Sequence, residues 1–125
     1  MVALKSVLVI DDDPAIQKYL KRLLEAAGYG IRTADNGRKG LDAYREERAD
    51  VVVTDIFMDQ QDGLELIRNL RAHDPTAIIV AMSGGYPGVP GDYLAIATKL
   101  GAAATWEKPF DADMVLRTVR QLLDR

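Results

Sequence analysis

Short apolar runs alternate with amphipathic stretches about five times along this chain, the rhythm of an α/β fold built on a mostly parallel sheet. The runs that predict strands are Ser6 to Ile10, Gly30 to Ala34, Val51 to Thr54, Ala77 to Met82 and Ala103 to Trp106. Val51-Val52-Val53 and Ile78-Ile79-Val80 are apolar without interruption, which fits strands covered by helices on both faces; half-solvated antiparallel strands would alternate.

The gaps carry helix signals. Asp13 is placed to N-cap the first helix, with Pro14 in the first turn, where its missing N–H is tolerated. Ile16, Leu20, Leu23, Leu24 and Ala27 then line one stripe before Gly28 stops it. A second helix follows Asn36-Gly37 and is weakened by Gly40 inside it. Asp62 and Glu65 are spaced as a capping box for a third helix, with Leu64, Ile67 and Leu70 as its predicted buried face and His73-Asp74-Pro75 as its end. A fourth spans Asp92 to Leu100 and stops at Gly101, and a fifth is capped by Asp111 and turns Val115, Val119 and Leu122 inward. Gly84 to Gly91 forms a turn-rich loop between the fourth strand and the fourth helix.

With 125 residues, 48% hydrophobic and 28% charged, and no repeat or linker, the chain matches one globular domain over 1–125. A net charge of -3 offers no basic footprint, so neither nucleic acid nor an anionic membrane surface is an expected partner. The absence of cysteine excludes disulfides, thiolate metal sites and cysteine nucleophiles. Val7 to Ile10 is too short for a signal-peptide core, and the uncharged stretch Pro75 to Gly91 is broken by proline and glycine. A soluble, cytoplasmic protein is the expectation.

Placed on this skeleton, the polar residues fall at strand ends: Asp11 and Asp12 after the first strand, Asp55 after the third, Ser83 after the fourth, Lys108 after the fifth. In an open parallel sheet the carboxyl ends share one edge, where ligands bind. The three aspartates meet there if the first and third strands are neighbours. Two unit charges about 4 Å apart repel by roughly 4 kcal/mol at an effective dielectric of 20, so the acids need a positive partner. A hard divalent cation bound by oxygens suits them, Mg²⁺ being the abundant one that keeps open positions for phosphate oxygens. Lys108 would add a second positive charge from the opposite side. Such a site suits phosphoryl transfer to Asp55, with Ser83 donating to a phosphoryl oxygen.

The motifs Val9-Ile10-Asp11-Asp12-Asp13-Pro14, Val53-Thr54-Asp55-Ile56-Phe57-Met58 with Asp62-Gly63-Leu64-Glu65-Leu66, Met82-Ser83-Gly84 and Lys108-Pro109-Phe110 closely resemble the receiver domains of two-component response regulators, of the stand-alone, chemotaxis-regulator-like type. The resemblance covers essentially the whole chain. It implies a doubly wound, flavodoxin-like five-stranded parallel sheet in the order 2-1-3-4-5. It implies Asp55 as phosphoacceptor, Asp12 as a direct ligand of Mg²⁺ (or Mn²⁺), and Asp11 as the acid that holds the metal through water. It also implies the Phe57 backbone carbonyl as a metal ligand, Ser83 and Lys108 as the switch hydroxyl and lysine, and Pro109 as a cis proline. The implied donor is a sensor histidine kinase or a histidine phosphotransfer protein. Output would go by protein contact to an unknown downstream target, through the fourth helix, fifth strand and fifth helix, with no enzymatic activity beyond self-phosphorylation and autodephosphorylation.

Three positions depart from the family pattern: Asp59 where proline is usual, Thr105 where an aromatic is usual, and the longer loop after Ser83. The expectation is a signal read mainly through that loop and the fourth helix. Elsewhere the plainer readings hold: His73 as solvated surface, Trp106, Met58 and Met82 as packing, and Arg38, Lys39, Arg45 and Arg48 as the solvated face of one helix. Tyr86 and Tyr93 are open between local packing and partner contact. A haloacid-dehalogenase-type phosphatase would instead use Asp11 as nucleophile, but its aspartates are spaced two apart with a threonine or valine following, whereas Pro14 follows Asp13. A flavodoxin-like cofactor module would place a flavin phosphate against three carboxylates, which repel it.

Overall fold

The computed structural model describes residues 4–58, 63–83 and 92–124. Over these the chain runs β1 (Ser6–Ile10), α1 (Pro14–Ala26), β2 (Gly30–Ala34), α2 (Gly37–Glu46), β3 (Val51–Asp55), α3 (Gly63–His73), β4 (Ile79–Ser83), α4 (Asp92–Leu100), β5 (Ala104–Glu107) and α5 (Ala112–Leu123). The strands pair in parallel in the order β2-β1-β3-β4-β5, as expected. The last two strands begin one or two residues later than their hydropathy suggests. Before β4 the chain is still turning, with the Ala77 N–H on the Asp74 carbonyl at 3.1 Å.

Successive strand side chains point to opposite faces, so each central strand feeds two cores. Leu8, Ile10, Val52, Ile79 and Ala81 pack with Leu41 and Tyr44 of α2, Leu66, Ile67 and Leu70 of α3, and Ala97 of α4. Val7, Val9, Val51, Val53, Val80 and Met82 pack with Leu20 and Leu24 of α1, Val115, Val119 and Leu122 of α5, and Trp106 of β5. Both faces are covered, which is why these strands are apolar throughout.

The helix caps follow their residues. The Asp13 side chain accepts from the Ala15 N–H at 2.9 Å, Asn36 from Lys39 at 2.8 Å and Asp111 from Met114 at 2.7 Å. Gly28 and Gly101 take φ values of 100° and 116°, which glycine adopts without a Cβ penalty, and end α1 and α4. Ala27 does not extend the apolar stripe of α1; it is the exposed C-cap. The buried face of α3 is also rotated from its expected position: Gly63, Leu66, Ile67 and Leu70 face inward and Leu64 is half-buried. Those four positions form an i, i+3, i+4, i+7 stripe, whose rotation is set by the close seat of Gly63 on the backbone of Asp55 and Ile56. Asp59, the Asp62 half of the capping box, and the 84–91 loop with Tyr86 lie outside the described residues.

Gly40 has a packing reason. A Cβ there would stand 2.8 Å from Ile10 Cγ1, so the glycine lets α2 lie against β1. Trp106 is core, 2% exposed, with its indole N–H on Thr118 Oγ1 at 3.3 Å. Met82 is fully buried and Met58 packs at the core edge. His73 is exposed at the end of α3. Arg38, Lys39 and Arg45 are exposed on α2 as expected, but Arg48 lies past the helix end and pairs with Asp74 at 3.1 Å. Asp74 also accepts from the Tyr44 hydroxyl at 2.6 Å and from the Thr76 hydroxyl and N–H, tying α2 to the α3–β4 turn. Those hydrogen bonds hold its carboxyl well below the usual range, while burial and then Asp74 push the Tyr44 phenol up to about 12. Among the described residues no helix is long and apolar enough to cross a membrane.

Candidate functional site

Because β1 and β3 are adjacent and pair Ile10 with Thr54, the residues that follow, Asp11 and Asp55, fall side by side at the carboxyl edge of the sheet. Asp11 is fully buried, Asp55 is 6% exposed and Asp12 is exposed. Each of the three offers a carboxylate oxygen, and these oxygens lie within 4.8 Å of one another.

Lys108 follows β5, two strands away, and reaches across β4. Its Nζ stands 2.8 Å from Asp11 Oδ2 and 3.3 Å from Asp55 Oδ2. The amine therefore sits between two of the acids. Its backbone is fixed by the Lys108 N–H donating to the Ser83 carbonyl at 2.8 Å, and the Lys108–Pro109 peptide is cis, as the resemblance implied. Ser83 is half-buried at the end of β4, on the same edge.

The other oxygen of each bridged carboxylate is held by the main chain. Asp11 Oδ1 accepts from the Asp13 N–H at 2.8 Å, and Asp55 Oδ1 accepts from the Phe57 N–H at 3.1 Å. Each acid is thus oriented twice, by a turn of its own chain and by a shared ammonium. Burial raises the Asp55 pKa; the Phe57 N–H and the Lys108 charge oppose it, and the charge on Asp11 adds to the rise. Burial alone would lower the Lys108 pKa, but the hydrogen bond to Asp11 and the charges of Asp55 and Asp11 outweigh it and raise it. The lysine stays cationic.

Three carboxylates and one ammonium leave a formal charge of two negatives. That residue of charge, presented by oxygen donors with one acid open to solvent, fits a hard divalent cation. Lys108 occupies the space between Asp11 Oδ2 and Asp55 Oδ2, which would leave the Asp12 side of the cluster for such a cation.

Two contributors escaped the sequence reading. Gly63 takes the first turn of α3 onto the backbone of Asp55 and Ile56, and its N–H donates to the Ile56 carbonyl at 3.1 Å. Its signal was a glycine opening an otherwise apolar-periodic helix. Gln17 donates from Nε2 to the Asp11 carbonyl at 2.5 Å, holding the end of β1, and nothing in its spacing announced that. Tyr93, open in the sequence between local packing and partner contact, packs edge-on against Phe57 with ring centroids 4.9 Å apart.

Comparison with known proteins agrees with this geometry. The model of the response regulator receiver domain family matches residues 7–120. The chain is 32% identical over 121 residues to the transcriptional regulatory protein GlrR of Escherichia coli, covering 95% of this chain and 26% of that protein. It is 38% identical over 120 residues to the transcriptional regulatory protein FixJ of Bradyrhizobium diazoefficiens, covering 92% and 57%. It therefore spans between a quarter and just over half of these two relatives. Among solved structures, a CheY-like receiver domain protein from Methanospirillum hungatei superposes with a TM-score of 0.90 at 27% identity, covering 98% of this chain and 95% of that one. The Vibrio cholerae chemotaxis protein CheY4 superposes with a TM-score of 0.87 at 26% identity, covering 97% and 100%. With the family's strand order, its acid cluster and its lysine all present, the chain belongs to the receiver domains of response regulators, signalling domains that take a phosphoryl group onto an aspartate with the help of Mg²⁺.

Proposed function

We propose that Asp55 is the phosphoacceptor, that Asp11, Asp12, Asp55 and the Phe57 carbonyl hold Mg²⁺ or Mn²⁺, and that Lys108 and Ser83 contact the oxygens of the phosphoryl group. The observation that carries this reading is the Lys108 ammonium lying against both Asp55 and Asp11. A carboxylate oxygen of Asp55 bonds to phosphorus while the P–N bond to the donor imidazole breaks, the electron pair staying on nitrogen. Lys108 takes up charge on the phosphoryl oxygens and Ser83 donates a hydrogen bond to one of them. Held by those residues, the cation would offset charge on the transferring group.

The donor is a sensor histidine kinase or a histidine phosphotransfer protein, and the domain, one unit over 1–125, works in the cytoplasm and signals through protein contact. It is a substrate and a switch, with no reaction of its own beyond gaining and losing the phosphoryl group. The alternative nucleophile, Asp11, is disfavoured because it is fully buried, whereas Asp55 keeps some exposure.

Incubation with acetyl phosphate and Mg²⁺, followed by intact-mass analysis and peptide mapping, tests the assignment. One phosphoryl adduct on Asp55, absent in Asp55→Asn, is expected. An adduct that maps to Asp11 and survives Asp55→Asn would overturn it.

A further inference from the structure

The first turn of α1 reaches back over the strand that precedes it. Pro14 opens the helix on the Asp13 cap, and the Gln17 N–H closes the first helical bond on the Asp13 carbonyl at 3.2 Å. Long helical side chains lean toward the N-terminus of their own helix. From that anchor the half-buried Gln17 side chain lies over the carboxyl ends of β1 and β2, its Nε2 standing 2.5 Å from the Asp11 carbonyl oxygen and 3.5 Å from the Ala34 carbonyl oxygen. Carbonyl oxygens only accept, so the amide nitrogen is the end of the side chain that faces them. The bond to Asp11 is the strong one of the two.

That grip reaches the acid cluster through a peptide plane. Asp11 is held at every polar group: its N–H donates to the Ala34 carbonyl at 3.1 Å, its Oδ1 accepts from the Asp13 N–H, its Oδ2 faces Lys108 Nζ, and its carbonyl accepts from Gln17. A peptide unit is planar from one Cα to the next, so holding the Asp11 carbonyl oxygen also fixes the line along which the Asp12 Cα leaves the strand. The exposed Asp12 carboxylate is carried by that Cα. Turning this peptide would swing Asp12 away from Asp11 and Asp55, whose carboxylate oxygens now lie within 4.8 Å of its own.

We propose that Gln17 is a positioning residue for the divalent cation: by holding the Asp11 carbonyl it sets the Asp11–Asp12 peptide so that both carboxylates are presented together with that of Asp55. The proposal rests on the reading that these three acids hold Mg²⁺ or Mn²⁺. Gln17 acts through the backbone and supplies no ligand, so its loss weakens cation binding without emptying a coordination position. One hydrogen bond of this kind corresponds to about three- to tenfold in an equilibrium constant. The coupling is reciprocal, so a bound cation also tightens the hold of Gln17 on the carbonyl.

Mn²⁺ binding to the full chain, followed by the paramagnetic resonance of the free ion, is the test. Saturable binding to wild type that Asp12→Asn weakens or abolishes checks the acid site by itself; no saturable binding, or equal binding by Asp12→Asn, overturns that reading and this proposal with it. With the acid site established, Gln17→Met keeps the side-chain length, removes the donor and raises the Kd for Mn²⁺ about three- to tenfold. Gln121→Met, the same change on the exposed side of α5, leaves the Kd within about twofold of wild type. Labelling of Gln17→Met by acetyl phosphate is slow at limiting Mg²⁺ and returns to within about twofold of wild type at saturation, because every ligand is still present. A glutamine that only supported the fold would lower the Tm of the metal-free chain and leave the Kd alone. An unchanged Kd in Gln17→Met, or a rate defect that saturating Mg²⁺ does not relieve, overturns the proposal. Should Gln17→Met not fold, NMR of the wild-type chain decides: exchange of the Gln17 side-chain amide protons with water slows when Mg²⁺ is added, and an unchanged rate is equally fatal.

Discussion

Replacing Gly63 by alanine puts a methyl group where the backbone of Asp55 and Ile56 already stands. The added Cβ would overlap the Asp55 carbonyl oxygen and the Ile56 Cα, and would lie 3.0 Å from the Asp55 carbonyl carbon. A side chain can rotate away from such a clash, but a main chain held in a sheet cannot. Overpacking typically costs about 1–3 kcal/mol, and a backbone obstacle puts this site at the upper end. The gain from alanine's helix preference recovers well under ~1 kcal/mol, because Gly63 opens the helix and is not in its interior. With an unfolding entropy of about 2.1 cal/mol/K per residue, a loss of ~3 kcal/mol lowers Tm by about 11 °C for a chain of this length. The relief of the clash moves Asp55 itself, and displacements near 1 Å in a reacting group cost on the order of 100-fold. Scanning calorimetry on Gly63→Ala, with the acetyl phosphate labelling rate measured below its melting range, reads both effects. Gly30→Ala is the control, since a Cβ there meets nothing nearer than 3.8 Å. If Gly63→Ala melted within about 2 °C of wild type and took up phosphate at the wild-type rate, the seating of α3 on the acceptor strand would be wrong.

Two further outcomes follow from the packing. Gly40→Ala gains ~1 kcal/mol of helix preference but overpacks the fully buried Ile10, for a net loss of about 1 kcal/mol; Ile10→Val, costly alone by ~1 kcal/mol, costs less beside it because it removes Cδ1, though Cγ1 stays close. Urea unfolding of the cycle measures this, and a Gly40→Ala variant more stable than wild type contradicts the packing account. Asp74→Asn costs about 2 kcal/mol by leaving the buried Tyr44 hydroxyl and Arg48 without their carboxylate. The folded Asp74 pKa is depressed, so its contribution is complete above the unfolded value near 4 and is lost as pH falls through the folded value. The gap between wild type and Asp74→Asn is therefore full at pH 6 to 8 and narrows below about pH 4; a gap that widens in acid refutes the assignment.

The strands, the helix caps and the site acids were legible in the chain because each depends on local chemistry. Uninterrupted valines and isoleucines mark a strand buried on both faces, and Asp13 and Asp111 stand where helix N–H groups need an acceptor. Asp11, Asp12, Asp55, Ser83 and Lys108 could be assigned to one edge from strand polarity, with the strand order supplied by resemblance to a family.

Relations between elements were not legible. The rotation of α3 that buries Leu66 and half-exposes Leu64, the role of Gly40 as a seat for Ile10, and the contact of Tyr93 with Phe57 all depend on how closely two backbones approach. The lysine shows the same division: its charge and its place after β5 were plain, but its bridging of Asp11 and Asp55 depends on the span across β4. Hydropathy period and capping chemistry act over a few residues and so are written along the chain. Interhelical distance and side-chain reach arise only when distant segments meet, and the folded structure alone decides them.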